Sequence, residues 1–119
     1  MARRVMPMVH VPDIRAAVEW YQSVGFKVIG THEDGGVIDW AMLSFGDGIL
    51  MFNIGGQPST AHRREADLYV QTEKIDDLYQ QLRERVEVVE EPHDTEYGMR
   101  EFIIRDLNRF WITFGQDIS

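Results

Sequence analysis

The sequence predicts an α+β fold in which one βαβββ plan is laid down twice, and three observations predict it. The chain repeats itself: a shift of 61 positions lays Val9 on Val70, Asp13 on Lys74, Ile14 on Ile75, Val18 on Tyr79, Tyr21 on Leu82 and Val28 on Val89. Each copy passes from a short alternating run, the mark of a strand, into a segment whose apolar residues recur every three or four positions, the mark of an amphipathic helix. Each copy then closes with three strand-like runs joined by short turns, which forces antiparallel pairing and argues against a doubly wound sheet.

Taken in order, the first strand is expected over residues 6–11. Asp13 offers a side-chain acceptor to the free N–H groups of the first helical turn, and Gly25 ends that helix because glycine takes a left-handed conformation without steric cost. Strands follow over 26–31, 37–45 and 49–54, with Asp34-Gly35-Gly36 and Gly46-Asp47-Gly48 as turns. Gly55-Gly56-Gln57-Pro58-Ser59-Thr60 is small, polar and rich in breakers, and reads as a linker. The second copy places a strand over 67–71, then a helix, then strands over 86–90, 99–105 and 110–115. The last two form a hairpin about Asp106-Leu107-Asn108-Arg109. The expected organisation is one domain over 1–119, with a first module over 1–55 and a second over 61–119.

The 119 residues, 44% of them apolar, suffice for one compact core. No run approaches the roughly 20 apolar residues of a membrane span, and the two arginines near the N-terminus precede no long apolar segment, so a cytoplasmic protein is expected. With no cysteine, disulfides, thiolate metal sites and cysteine nucleophiles are impossible. A formal charge of −8 opposes nucleic acid and anionic membranes and favours neutral or cationic partners. No Ser-His-Asp order, phosphate-cradling glycine loop or helical His-Glu motif is present, which leaves no case for hydrolase or nucleotide chemistry. His10, His32, His62 and His93 lie far apart in sequence and form no ligand motif; His10 alone shares strand parity with Met6 and Met8.

Val11-Pro12-Asp13-Ile14, Ala17-Val18-Glu19-Trp20-Tyr21 and Val24-Gly25-Phe26 in the first copy, with Tyr97-Gly98-Met99-Arg100-Glu101-Phe102 and Ile104-Arg105-Asp106 in the second, follow one another in an order that is specific although each motif is weak alone. In this order the whole chain resembles the vicinal oxygen chelate superfamily, which holds glyoxalase I, bleomycin and fosfomycin resistance proteins and extradiol dioxygenases. Leu107, Asn108 and Arg109 stand in part of the turn that the family usually fills with Pro, Asp, Gly and Asn. The aromatic-Gly at Tyr97-Gly98, followed one residue on by Arg-Glu-Phe, resembles the bleomycin resistance branch in particular. The resemblance implies two βαβββ modules forming curved mixed sheets around a cleft, and a homodimer.

Metal enzymes of the family place one ligand, usually His, Glu or Gln, on the first and last strand of each module. The resemblance carries those positions onto Met6, Met51, Asp67 and Thr113. A lone carboxylate cannot supply the ligand shell of zinc, iron or manganese, so neither a metal nor a catalytic residue is expected. Strand parity adds Met8, Ile49, Asn53, Tyr69 and Trp111 to the same face, an apolar and aromatic wall of the kind that lines small-molecule pockets. Trp40 and Phe52 are expected near it as stacking groups, His10 at its rim, and Tyr97 at the opening of the penultimate strand. Arg100 and Arg105 are expected on the solvated face as partners of carboxylates, and Glu90, Glu91, Asp94 and Glu96 as an acidic lip. The ligand-binding set is then Met6, Met8, Trp40, Met51, Asp67, Tyr69, Tyr97, Trp111 and Thr113.

The expected function is that of a metal-free protein, without cofactor, that binds a small aromatic or cationic organic molecule such as a bleomycin-type antibiotic. The alternative is a metal-dependent lyase, isomerase or dioxygenase of the same superfamily drawing on His10 or Asp67. A third is a regulatory or dimerisation module with an idle cleft.

Overall fold

A computed structural model describes all 119 residues. Ten elements follow in the order β1 (Met8–Val11), α1 (Ile14–Ser23), β2 (Lys27–Asp34), β3 (Val37–Phe45), β4 (Gly48–Ile54), β5 (Asp67–Gln71), α2 (Ile75–Leu82), β6 (Glu87–Asp94), β7 (Met99–Arg105) and β8 (Trp111–Asp117). They divide into two compact units, Met1–Pro58 and Ser59–Ser119. Each unit holds one four-stranded mixed sheet and one helix, with strand order β1-β4-β3-β2 in the first and β5-β8-β7-β6 in the second. The outer strands β1 and β5 run parallel to their neighbours β4 and β8, and the other pairs are antiparallel. No helix is long and apolar enough to cross a membrane.

In the first unit Asp13 caps α1 through Ala16 N–H at 3.1 Å. The helix ends in a Schellman motif: Gly25 N–H donates to the Gln22 carbonyl and Phe26 N–H to the Tyr21 carbonyl, with Gly25 at φ +113°. The apolar contact that goes with this motif is the edge-on Tyr21–Phe26 pair, ring centroids 5.0 Å apart. Ile14, Ala17, Val18 and Tyr21 face the sheet and meet Ala41, Leu43, Leu50 and Phe52, all buried. Phe52 is 1% exposed with its ring against Tyr21. It belongs to this core and not to a ligand-facing wall, because its strand parity is opposite to that of Met51 and Asn53.

The second unit repeats the plan with one substitution of means. Lys74, the counterpart of Asp13, precedes α2 in a left-handed conformation and makes no side-chain cap. Gln116 of β8 supplies the acceptor instead, its Oε1 2.8 Å from Ile75 N–H. The core here is Ile75 and Leu82 against Phe102, Ile104, Ile112 and Phe114, with Phe102 and Phe114 stacked at 4.9 Å.

Strand ends differ from the sequence expectation in a consistent way. β1 begins at Met8 rather than residue 6, because Pro7 has no N–H to give the ladder, although its carbonyl accepts from Met51. β2, β6 and β8 run on to Asp34, Asp94 and Asp117.

Candidate functional site

Backbone register sorts each sheet into a face against its helix and a face away from it. In the first unit Met8, Met51 and Met42 form one cross-strand row, and His10, Asn53, Trp40 and His32 the next. The face away from α1 therefore carries Met8, Met51 and Trp40, while Met6 lies half-buried just ahead of β1. Trp40 lies beside Gly30 of β2, its indole within ordinary contact distance of where a Cβ would stand. His10 stays exposed and its ring meets only the Ile54 carbonyl at 3.3 Å. A depression of about 340 Å³ opens elsewhere, between the start of α1 and Gly36, Val37 and Ile38, and holds none of the expected residues.

The corresponding face of the second unit is denser in chemistry. Its successive rows are Asp67–Trp111–Arg105–Glu87, Tyr69–Thr113–Ile103–Glu90 and Gln71–Gly115–Glu101–His93. In the first row the segment that precedes β5 folds back over Trp111. The Arg63 guanidinium lies 4.1 Å above the indole and is hydrogen-bonded and ion-paired to Asp67, and the Asp67 bond raises the Arg63 pKa further above its ordinary value. His62 meets Trp111 edge-on at 5.8 Å and accepts the indole N–H on its carbonyl at 3.2 Å. Asp67 and Trp111, both in the expected ligand-binding set, are thus bridged by one planar cation of the chain itself.

Arg105 is 6% exposed, ion-paired to Glu87 and 3.2 Å from His62 Nδ1. That corrects its expected place on the solvated face: it shares strand parity with Trp111, and the His62 segment lies beside it. Its pairing with a carboxylate was expected, and Arg100, on the other parity, likewise pairs with Asp76 and Asp94, each at 2.9 Å. The hairpin turn is built on Asp106, whose Oδ1 accepts from Asn108 and Phe110 N–H, with Arg109 at φ +74°.

In the next rows the Tyr69 hydroxyl reaches across β8 and donates to Glu101 Oε2 at 2.6 Å, and the Tyr97 hydroxyl donates to Oε1 at 2.7 Å. Glu101 is 5% exposed, whereas Tyr69 and Tyr97 are 50% and 69% exposed. Both phenol pKa values are raised, that of Tyr69 chiefly by burial and then by its bond to Glu101, that of Tyr97 chiefly by its bond to Glu101. Thr113, expected in the site, is buried beside Tyr69. Glu101 was not among the expected binding residues, and it lies on one strand face with Met99 and Ile103. Its signals are the Tyr97-Gly98-Met99-Arg100-Glu101-Phe102 run quoted for the resemblance and Gly115, whose missing side chain lets Tyr69 cross the strand to reach it.

Among the four positions that metal enzymes of such a fold use, two hold thioethers, one a hydroxyl, and one, Asp67, a carboxylate already engaged by Arg63. No three His, Cys, Asp or Glu side chains converge as metal ligands. The donor set does not fit a divalent ion.

Comparison with known proteins adds the following. The family model of the Glyoxalase/Bleomycin resistance protein/Dioxygenase superfamily matches residues 4–114. No curated protein matches the chain. Among solved structures, TioX from Micromonospora sp. ML1 is similar with a TM-score of 0.80 at 23% identity over 98% of this chain and 99% of that one. A bleomycin-binding protein complexed with bleomycin is similar at 0.73 and 15% identity, over 98% and 99%. A bleomycin resistance determinant encoded on the transposon Tn5 is similar at 0.75 and 16%, over 99% and 100%.

Proposed function

The chain belongs to the glyoxalase/bleomycin resistance protein/dioxygenase superfamily, and we propose that within it the protein is a metal-free binder of a small planar organic cation rather than an enzyme. The observation that carries this reading is Arg63: a flat cation stacked 4.1 Å over Trp111 and held by Asp67. A guanidinium is a fair stand-in for a charged heteroaromatic ring, since both satisfy an indole face by cation–π attraction and a carboxylate by charge-assisted hydrogen bonds. The lack of a convergent donor set supports the non-metal half of the reading, and a structural neighbour that binds bleomycin supports an antibiotic of that type as the first ligand to try.

The test is calorimetric titration with bleomycin of the parent, Trp111→Ala and Arg63→Ala, with elemental analysis of the same preparations. Trp111→Ala is expected to weaken binding about tenfold or more. Arg63→Ala is expected to strengthen it, because the internal cation no longer competes. Affinity unchanged in both variants overturns this placement of the ligand. One transition-metal ion per chain, lost together with activity on chelation, overturns the non-metal reading in favour of a metal-dependent enzyme.

A further inference from the structure

We propose that Tyr69 and Tyr97, tied by their hydroxyls to the buried carboxylate of Glu101, form a second recognition platform beside Trp111 that takes a flat aromatic cation. The proposal rests on the reading of this sheet face as a small-molecule surface, and names a part of it that nothing in the Trp111 row supplies.

The geometry is specific. Tyr69 springs from β5, and its hydroxyl passes over Gly115 of β8 to reach Glu101 of β7. A Cβ at position 115 would collide with the phenol oxygen and with the ring carbon that bears it, so the crossing exists because residue 115 is glycine. A ring that crosses a strand in this way lies along the sheet and leaves a broad side open, in agreement with its 50% exposure. Tyr97 reaches the same carboxylate from the turn ahead of β7. Neither ring gains the burial that aromatic side chains ordinarily obtain. Both hydroxyls are fixed, and what the arrangement produces is two held aromatic surfaces facing outward.

The charge is equally specific. A carboxylate that is 5% exposed is ordinarily matched by a cation. Glu101 receives two neutral phenols and no ion pair with Lys, Arg or His, whereas Arg63, Arg100, Arg105 and Arg109 all pair with other carboxylates. Glu90 adds a second negative charge that acts on Tyr97. A cation stacked on the tyrosines would lie close to this carboxylate, whose negative charge the two neutral phenols leave in place. An aromatic ring face attracts such a cation in its own right.

Glu101 acts through the tyrosines and is a positioning residue, so its test separates charge from structure. Two flat probes of similar size are titrated at pH 8 while the ring signals of Tyr69, Tyr97 and Trp111 are followed by NMR: N-methylquinolinium, which is cationic, and quinoline, which is neutral. The cation is expected to shift both tyrosine signals in the parent and in Trp111→Ala, and to bind several-fold more tightly than quinoline. Glu101→Gln is expected to abolish that preference while leaving the fold, read by circular dichroism, intact. Gly115→Ala is expected to weaken the cation about tenfold by pushing Tyr69 out of place; Tyr69→Leu, free of backbone crowding, should do the same. Tyrosine signals that stay still while Trp111 shifts overturn this platform and leave the proposed function standing. If no aromatic signal moves with any probe or with bleomycin, both fall. A cation preference that survives Glu101→Gln also overturns the platform.

Discussion

Arg109 sits at φ +74°, a left-handed conformation that costs a non-glycine residue about 1 kcal/mol. The Asp106 side chain closes the turn around it, and the conformation aims the Arg109 Nε at the Ala61 carbonyl, 2.7 Å away, at the root of the segment that carries His62 and Arg63 to Trp111. Arg109→Gly relieves the strain but removes that hydrogen bond, worth about 1 kcal/mol. Stability is therefore expected to stay within about 1 kcal/mol of the parent, while the Trp111 indole N–H resonance shifts as its cover loosens. An indole signal identical to the parent's would show that the Ala61 anchor does not hold the segment. His32 offers a cleaner reading. Its ring is 2.7 Å from Asp39, and the hydrogen bond, followed by the Asp39 charge, raises its pKa above 6.5. The contact thus stabilises the fold below the unfolded histidine value and loses its effect as pH rises through the folded one. An NMR titration is expected to place the His32 midpoint above 6.5 in the parent and nearer 6.5 in Asp39→Asn; equal midpoints would sink the assignment. At this scale the sorting of side chains between faces was legible: the resemblance offered Met51, Asp67 and Thr113, strand parity added Met8, Tyr69 and Trp111, and the register of each sheet puts them on the face away from its helix. Glu101 and the Arg63 cover were not, since each depends on which strands lie side by side, and a one-dimensional pattern does not contain that.

The two helices start by different devices, and the difference can be measured. Asp13 caps α1 from its own chain neighbourhood, a local signal that the sequence displays openly. α2 takes its acceptor from Gln116, 41 positions further on, and no local rule reveals it. Gln116→Leu removes a hydrogen bond to the first turn of α2 and is expected to destabilise by about 1 kcal/mol in urea unfolding. A loss below a few tenths of a kcal/mol would mean that water replaces the glutamine without penalty. Strand existence was legible from alternation, and the glycine-rich hairpin turns from their composition. Strand ends were not: β2, β6 and β8 continue into acidic residues of low strand preference because the partner backbone is already in place to pair with them.

Across the whole molecule the repeat of 61 residues was the most legible feature, and the structure shows why: Asp13 and Lys74 occupy the same pre-helical position, and Ile14 and Ile75 both open a helix and lie buried beneath it. The two copies differ at most aligned positions, but apolar volume sits at corresponding places in both. The sheets end on β1 and β2 in one unit and on β5 and β6 in the other, and open edges of this kind invite a second chain. Light scattering is expected to give about twice the 13.8 kDa chain mass; a single-chain mass at high concentration would mean that any binding surface is complete within one chain.

The Arg63 guanidinium over Trp111 also bears on how any binding measurement will behave. A competitor built into the same chain never dilutes away: it returns at an effective concentration on the order of millimolar, whatever the protein concentration in the tube. For any cation that must displace Arg63, as the proposed ligand would, the apparent dissociation constant is raised by one plus the closed-to-open ratio of the Arg63 contact, the same factor for every such ligand. Affinity ratios among ligands are untouched by that factor, but weak cations such as free amines are moved further from the concentrations at which they would occupy the proposed site.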